Sequence, residues 1–206
     1  MSPSQSIAVF RALSLGDLLC AVPTLRALRR GWPHARVTLI GLPWARELAA
    51  RFPVYIDELV GFPGFPGLPG LPERRREPQA VLDFLRGAQE RRFDLALQLH
   101  DSGELSNPLV ALLGARRTAG YFREGHYCPD PAGFLPWRDD DPDVERGIRL
   151  LAVPGVDAVY VGPSHLSLPL FLTPTFIPPL TGFLLERFGY APAAVVNLTL
   201  SAVMAA

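Results

Sequence analysis

Residues 7–10 (Ile-Ala-Val-Phe) form a short unbroken apolar run, the pattern of a strand buried on both faces. A polar turn, Ser14-Leu15-Gly16-Asp17, follows it. Apolar positions then recur at helical spacing over 18–30 and stop at Gly31. Pro23 lies inside this helix and predicts a kink. A second strand is expected over 37–40, after the turn-like Trp32-Pro33-His34, and a helix over 44–51. The pattern continues with a strand over 57–60, a helix over 78–92 and a strand over 93–99. A helix over 105–113 and a strand over 118–121 close the series. Strands alternating with helices predict an α/β fold, a parallel sheet covered on both faces. Two polar clusters, 14–17 and 100–103, directly follow strands. Both are expected at the carboxyl edge of the sheet, where such folds bind ligands.

Two stretches depart from this pattern. Gly61, Gly64, Gly67 and Gly70 repeat every third residue, with Pro63, Pro66, Pro69 and Pro72 closing the triplets. This is the collagen period, but four triplets in 206 residues are too few to sustain a triple helix. The expectation is a single-chain loop stiffened by proline. The second departure is the C-terminal part. Residues 166–185 and 188–206 contain no charge, and only Glu186 and Arg187 separate them. Their lengths permit two membrane spans. Pro169, Pro174, Pro178 and Pro179 argue against a regular helix in the first. The alternative is an apolar segment that packs within a larger protein.

Composition removes several chemistries. All 20 basic residues are Arg. Without Lys there is neither a Schiff-base nucleophile nor a Walker A phosphate loop. The formal charge is zero, so no nucleic-acid partner is expected. Cys20 and Cys128 are too few for a disulfide framework or a zinc site, and Cys20 sits in a helical pattern as a core residue. No basic segment precedes a long apolar run at the N-terminus, so a cytoplasmic protein is expected.

Asp17 is the leading candidate for chemistry. It either caps the following helix or serves as a general base on a substrate hydroxyl. Gly16 would let a substrate approach the backbone. His100 and Asp101 are neighbours at a strand end and should point to opposite sides, so they do not form an obvious dyad. Ser14, Leu15, Gly16, His100 and Ser102 are the substrate-binding candidates. Arg74, Arg75 and Arg76 join them if the Gly-Pro loop borders a site, where they would hold phosphate or carboxylate groups. Asp139, Asp140 and Asp141 precede Pro142 and read as the approach to a helix beginning at Asp143 rather than as a metal site.

The stretch IAVFRALSLGDLLCAVPTLRALRRGWPHARVTLIG resembles the opening of the bacterial heptosyltransferases, glycosyltransferase family nine. FDLALQLHDSGELSNPLVALLGARRTAGY and DPDVERGIRLLA resemble later blocks of the same half, so the likeness covers residues 6–152. The resemblance implies a Rossmann-like acceptor-binding domain of GT-B type over 1–152. It implies inverting transfer without a metal or cofactor, from a nucleotide-sugar such as ADP-heptose to a lipid-linked or oligosaccharide acceptor of the lipopolysaccharide core. Asp17 matches the family's proposed base. Such a protein would be cytoplasmic, at the inner face of the inner membrane. The family's donor-binding domain should begin near residue 170, and residues 153–206 do not resemble it. VPGVDAVYVGPSHLSLPL is similar instead to a block of the metal-dependent pyruvate aldolases, with His165 where they carry a metal-binding Asp. TGFLLERFGYAPAAVVNLTLSAVMAA is similar to an inter-helix loop of a major-facilitator transporter. The expectation is therefore a glycosyltransferase incomplete as it stands. A non-catalytic acceptor-binding domain, or a membrane-associated protein, is the alternative.

Overall fold

The computed structural model describes residues 5–65, 67–68, 78–153 and 156. Its centre is a parallel sheet of six strands in the order β3-β2-β1-β4-β5-β6. The strands are β1 (Ser6–Phe10), β2 (Arg36–Gly41), β3 (Glu58–Gly61), β4 (Leu95–Gln98), β5 (Arg117–Phe122) and β6 (Phe134–Pro136). The helices are α1 (Leu15–Cys20), α2 (Val22–Gly31), α3 (Ala45–Arg51), α4 (Pro78–Glu90), α5 (Ser106–Leu112) and α6 (Asp143–Leu150).

β1 is central. Phe10 pairs with Ile40 on one side and with Gln98 on the other. Ile7, Ala8, Val9 and Phe10 are all fully buried, which explains an apolar run with no polar alternation. Ala8, Phe10, Ile40 and Ala96 pack on one face with Phe84 and Ala88 of α4 and Leu109 and Val110 of α5. Strand alternation turns Ile7, Val9, Leu39 and Leu97 to the other face, where they are equally buried. The chain leaves β3 at one edge and returns through α4 to β4 beside β1. The strand order therefore reverses between β1 and β4, which makes a crevice at their carboxyl ends.

Three expectations need correction. The segment over 18–30 is two helices rather than one kinked helix. α1 ends at Cys20, and Pro23 stands in the first turn of α2. There its missing N–H costs nothing, because first-turn donors have no helical partner. The polar turn is also shorter than expected: Leu15, Gly16 and Asp17 already belong to the first turn of α1. Cys20 is half-buried rather than core, and burial pushes its thiol pKa up. β6 was missed, since three residues ending in Pro136 are too few to show a period.

The described part of the Gly-Pro stretch is a loop anchored in the core. Phe62 and Leu68 are buried in the cluster under α4 and α5. Gly64 and Gly67 have φ of 96° and 85°, opposite in sign to the roughly −75° of a collagen strand. Arg74, Arg75, Arg76, the rest of the repeat and the apolar segment after residue 156 lie outside the described residues. Among the described residues no helix is long and apolar enough to cross a membrane.

Candidate functional site

β1 and β4 end side by side, and the polar clusters that follow them both lie at the strand-order reversal. Ser14 caps α1 with extended backbone. Its N–H and its hydroxyl both donate to Asp17 Oδ2, at 3.0 and 2.5 Å. The Asp17 N–H in turn points to Ser14 Oγ at 3.5 Å. This is a capping box with Asp in the place of Glu. Among the described residues no hydrogen bond engages Oδ1. Gly16 adds no bulk beside this carboxylate: a Cβ placed there would meet only Ser14 Oγ, at 3.9 Å. Leu15 is half-buried in the same turn. The Ser102 hydroxyl donates to Glu104 Oε1 at 3.4 Å.

Arg11, one residue past β1, organises the crevice and was missed by the sequence reading. It is 6% exposed. Its Nε donates to the Asp17 carbonyl at 2.6 Å, and its Nη1 donates to the Leu99 carbonyl. Its Nη2 donates to Asp143 Oδ2 at 2.8 Å. Arg146 holds the other oxygen of Asp143 at 2.6 Å. Burial alone would raise the Asp143 carboxyl. The Arg11 charge and the bonds from both arginines outweigh it and hold the group below its ordinary range. The Arg146 guanidinium carbon also sits over the Trp137 ring, 3.8 Å from its centre.

His100 stacks on Phe10 with ring centres 4.9 Å apart, and its side chain has no exposed surface. The Ala12 N–H donates to Nδ1 at 3.2 Å, so the neutral ring carries its proton on Nε2. Burial, helped by the Arg11 charge and opposed by Asp101 and Asp17, lowers the pKa to about 4. His100 is therefore neutral at pH 7 and is a poor general acid there. Asp101 Oδ2 lies 4.0 Å from Nε2, a juxtaposition the alternation argument did not foresee. The bend that follows β4 replaces strand geometry at these two residues. Asp101 Oδ1 is occupied by Gly103 N–H at 2.8 Å and Ser106 Oγ at 2.5 Å.

A cavity opens between these groups, lined among others by Arg11, Gln98, His100, Asp101, Tyr121 and Arg146. It leaves about 20 Å³ for the centre of a water-sized molecule, room for about one oxygen atom. Four of its lining residues carry buried polar atoms without a partner among the described residues: Thr24 Oγ1, Gln98 Oε1, His100 Nε2 and Arg146 Nε. Burial pushes Tyr121 up to about 12, so its hydroxyl keeps its proton, which it donates to the Arg146 carbonyl at 2.9 Å. The described residues contain no cluster of three or more metal-ligating side chains.

No family model matches the chain, and no curated relative matches it in sequence. Solved structures do match its fold. A glycosyl transferase family 9 protein from Veillonella parvula is 19% identical with a TM-score of 0.53, over 77% of this chain and 45% of that one. The E. coli heptosyltransferase WaaC with ADP is 14% identical with a TM-score of 0.51, over 82% of this chain and 54% of its own. The same enzyme with ADP-2-deoxy-2-fluoro heptose gives 14% and 0.52, over 82% and 55%. What is shared at this identity is the Rossmann-like fold. The chain spans about half the length of the solved structures it matches.

Proposed function

We propose that this chain is the acceptor side of a heptosyltransferase-like glycosyltransferase. It would serve transfer of heptose or a related sugar from a nucleotide-sugar such as ADP-heptose to a lipopolysaccharide-core saccharide, in the cytoplasm at the inner face of the inner membrane. The observation that carries this reading is the Asp17 carboxylate, braced through Oδ2 at the strand-order reversal of a fold shared with family 9 structures. Bracing one oxygen fixes where the other can meet a substrate. Oδ1 takes the proton of the acceptor hydroxyl as that oxygen bonds to the anomeric carbon. The bond from that carbon to the nucleoside diphosphate breaks, and the phosphate leaves with the electron pair. A base so placed is worth about 10²–10⁴-fold. No metal step is required of these residues. The donor phosphates need contacts beyond those described, so the described half is read as binding acceptor in its own right.

Calorimetry of the chain with deacylated lipopolysaccharide core saccharide, and separately with ADP-heptose, tests this. Saccharide binding with little or no ADP-heptose binding is expected. In any form of the protein that turns over, Asp17→Asn should lower kcat by about 10²–10⁴-fold while leaving saccharide affinity within a few-fold. Absence of saccharide binding, or turnover indifferent to Asp17, would remove the reading.

A further inference from the structure

The crevice holds a second pair of groups whose chemistry is complementary to one particular ligand atom. His100 Nε2–H is a buried donor without a partner among the described residues. Asp101 Oδ2 is an acceptor 4.0 Å away. That separation is too long for a direct hydrogen bond and suits one oxygen between them. The cavity that both residues line has room for about one oxygen. The Asp101 side chain is 36% exposed, whereas that of His100 has no exposed surface.

We propose that His100 and Asp101 form a subsite for a single hydroxyl of the saccharide acceptor. The hydroxyl oxygen accepts from His100 Nε2–H and sends its own proton to Asp101 Oδ2. A water occupies the same position in the free protein. The donor and acceptor types select this ligand. An anion would meet the Asp101 charge, and a bare cation would meet the Nε2–H. A group that both accepts and donates satisfies the two. Four bonds fix the pair. Ala12 N–H holds Nδ1, which sets the tautomer, and Gly103 N–H, Ser106 Oγ and Gln98 Nε2 all donate to Asp101 Oδ1, which leaves Oδ2 free. The neutral ring persists across the physiological range because its pKa lies near 4.

The inference rests on the acceptor reading above, and one experiment separates the two. The full chain, labelled with ¹⁵N-histidine, is titrated with deacylated core saccharide and followed by NMR at the His100 Nε2–H signal. On saccharide binding that proton is expected to shift and to exchange more slowly with water. Asp101→Asn is expected to weaken the saccharide about tenfold by calorimetry, since a bond to a charged acceptor is lost. The wild-type signal is decisive even if the variant does not fold. Saccharide binding that leaves the His100 signal unmoved would overturn the subsite and leave the acceptor reading standing. Absence of saccharide binding would overturn both.

Discussion

The two edges of the sheet are built from similar residues and treat their polar groups differently. At the amino edge, acids paired with arginines close the entries of β1 to β4. Asp57 Oδ2 takes the Val37 N–H and the Arg29 guanidinium, at 2.7 and 2.6 Å. Asp94 takes the Ser6 N–H at 3.0 Å and Arg116 at 3.3 Å. Glu58 takes both Arg36 and Arg91, at 3.0 and 2.6 Å. The carboxyl edge also has ion pairs, but His100 Nε2, Gln98 Oε1, Thr24 Oγ1 and Arg146 Nε are buried beside them with no partner among the described residues. Among the described residues, the amino edge has one comparable atom, Thr38 Oγ1. Unsatisfied buried polar groups cost stability. Their concentration at one end of the strands leaves bonds there that a ligand or ordered water could complete.

Arg11 offers the largest test of this contrast. Arg11→Ala would remove the tie among Asp17, Leu99 and Asp143 and leave the Asp143 carboxylate short of a partner. Removing one member of a buried pair costs about 3–5 kcal/mol. Asp143 is 33% exposed, so the lower end, about 3 kcal/mol, is expected from urea unfolding. A loss below about 1 kcal/mol would show that the carboxyl edge does not depend on this residue.

Strands β1 to β5 were legible because parallel strands in the sheet interior are largely apolar runs, as 7–10 is and as 37–40 is apart from Thr38. The carboxyl-edge position of residues 14–17 and 100–103 followed from the same alternation. Arg11 was not legible, because its partners lie 6, 88 and 132 residues away and nothing near it in sequence signals a buried guanidinium. The break at Ala21 was hidden for the opposite reason: the apolar pattern runs through it unbroken, and only backbone hydrogen bonding distinguishes a kink from a new helix. His100 and Asp101 came together through a bend after β4, where strand alternation no longer applies.

An intermediate effect is expected from pH. His100 has a folded pKa of about 4 against an ordinary 6.5. As pH falls below about 6.5 the unfolded chain takes up a proton that the folded protein refuses until about pH 4. Stability should therefore fall across that window, by at most about 1.4 kcal/mol per pH unit, and this contribution should level off below it. Asp143 and Glu58 have lowered folded values, so their contributions are present above the ordinary carboxylate range and are lost at more acidic pH. Urea midpoints at pH 7, 6 and 5 check this. His100→Asn, which keeps an acceptor for Ala12 N–H, should flatten the slope. An unchanged slope would mean that His100 is not the group that titrates.

The smallest effect should come from the amino edge. Arg36 is 65% exposed, and its bond to Glu58 is one of two that the carboxylate receives. The Arg91 bond is the larger influence lowering the Glu58 pKa, and it survives the loss of Arg36. An exposed ion pair is worth about 0–1 kcal/mol, reduced further by salt. Arg36→Ala should therefore cost less than about 0.5 kcal/mol in 0.15 M salt. It should not change core-saccharide affinity, because Arg36 opens β2 at the end of the sheet opposite the crevice. Paired measurements of unfolding and saccharide binding would expose an error in either direction. A loss above about 1 kcal/mol would make the amino edge as dependent on single pairs as the carboxyl edge. A change in saccharide affinity would mean that the two edges do not divide stability and binding as their hydrogen bonding implies.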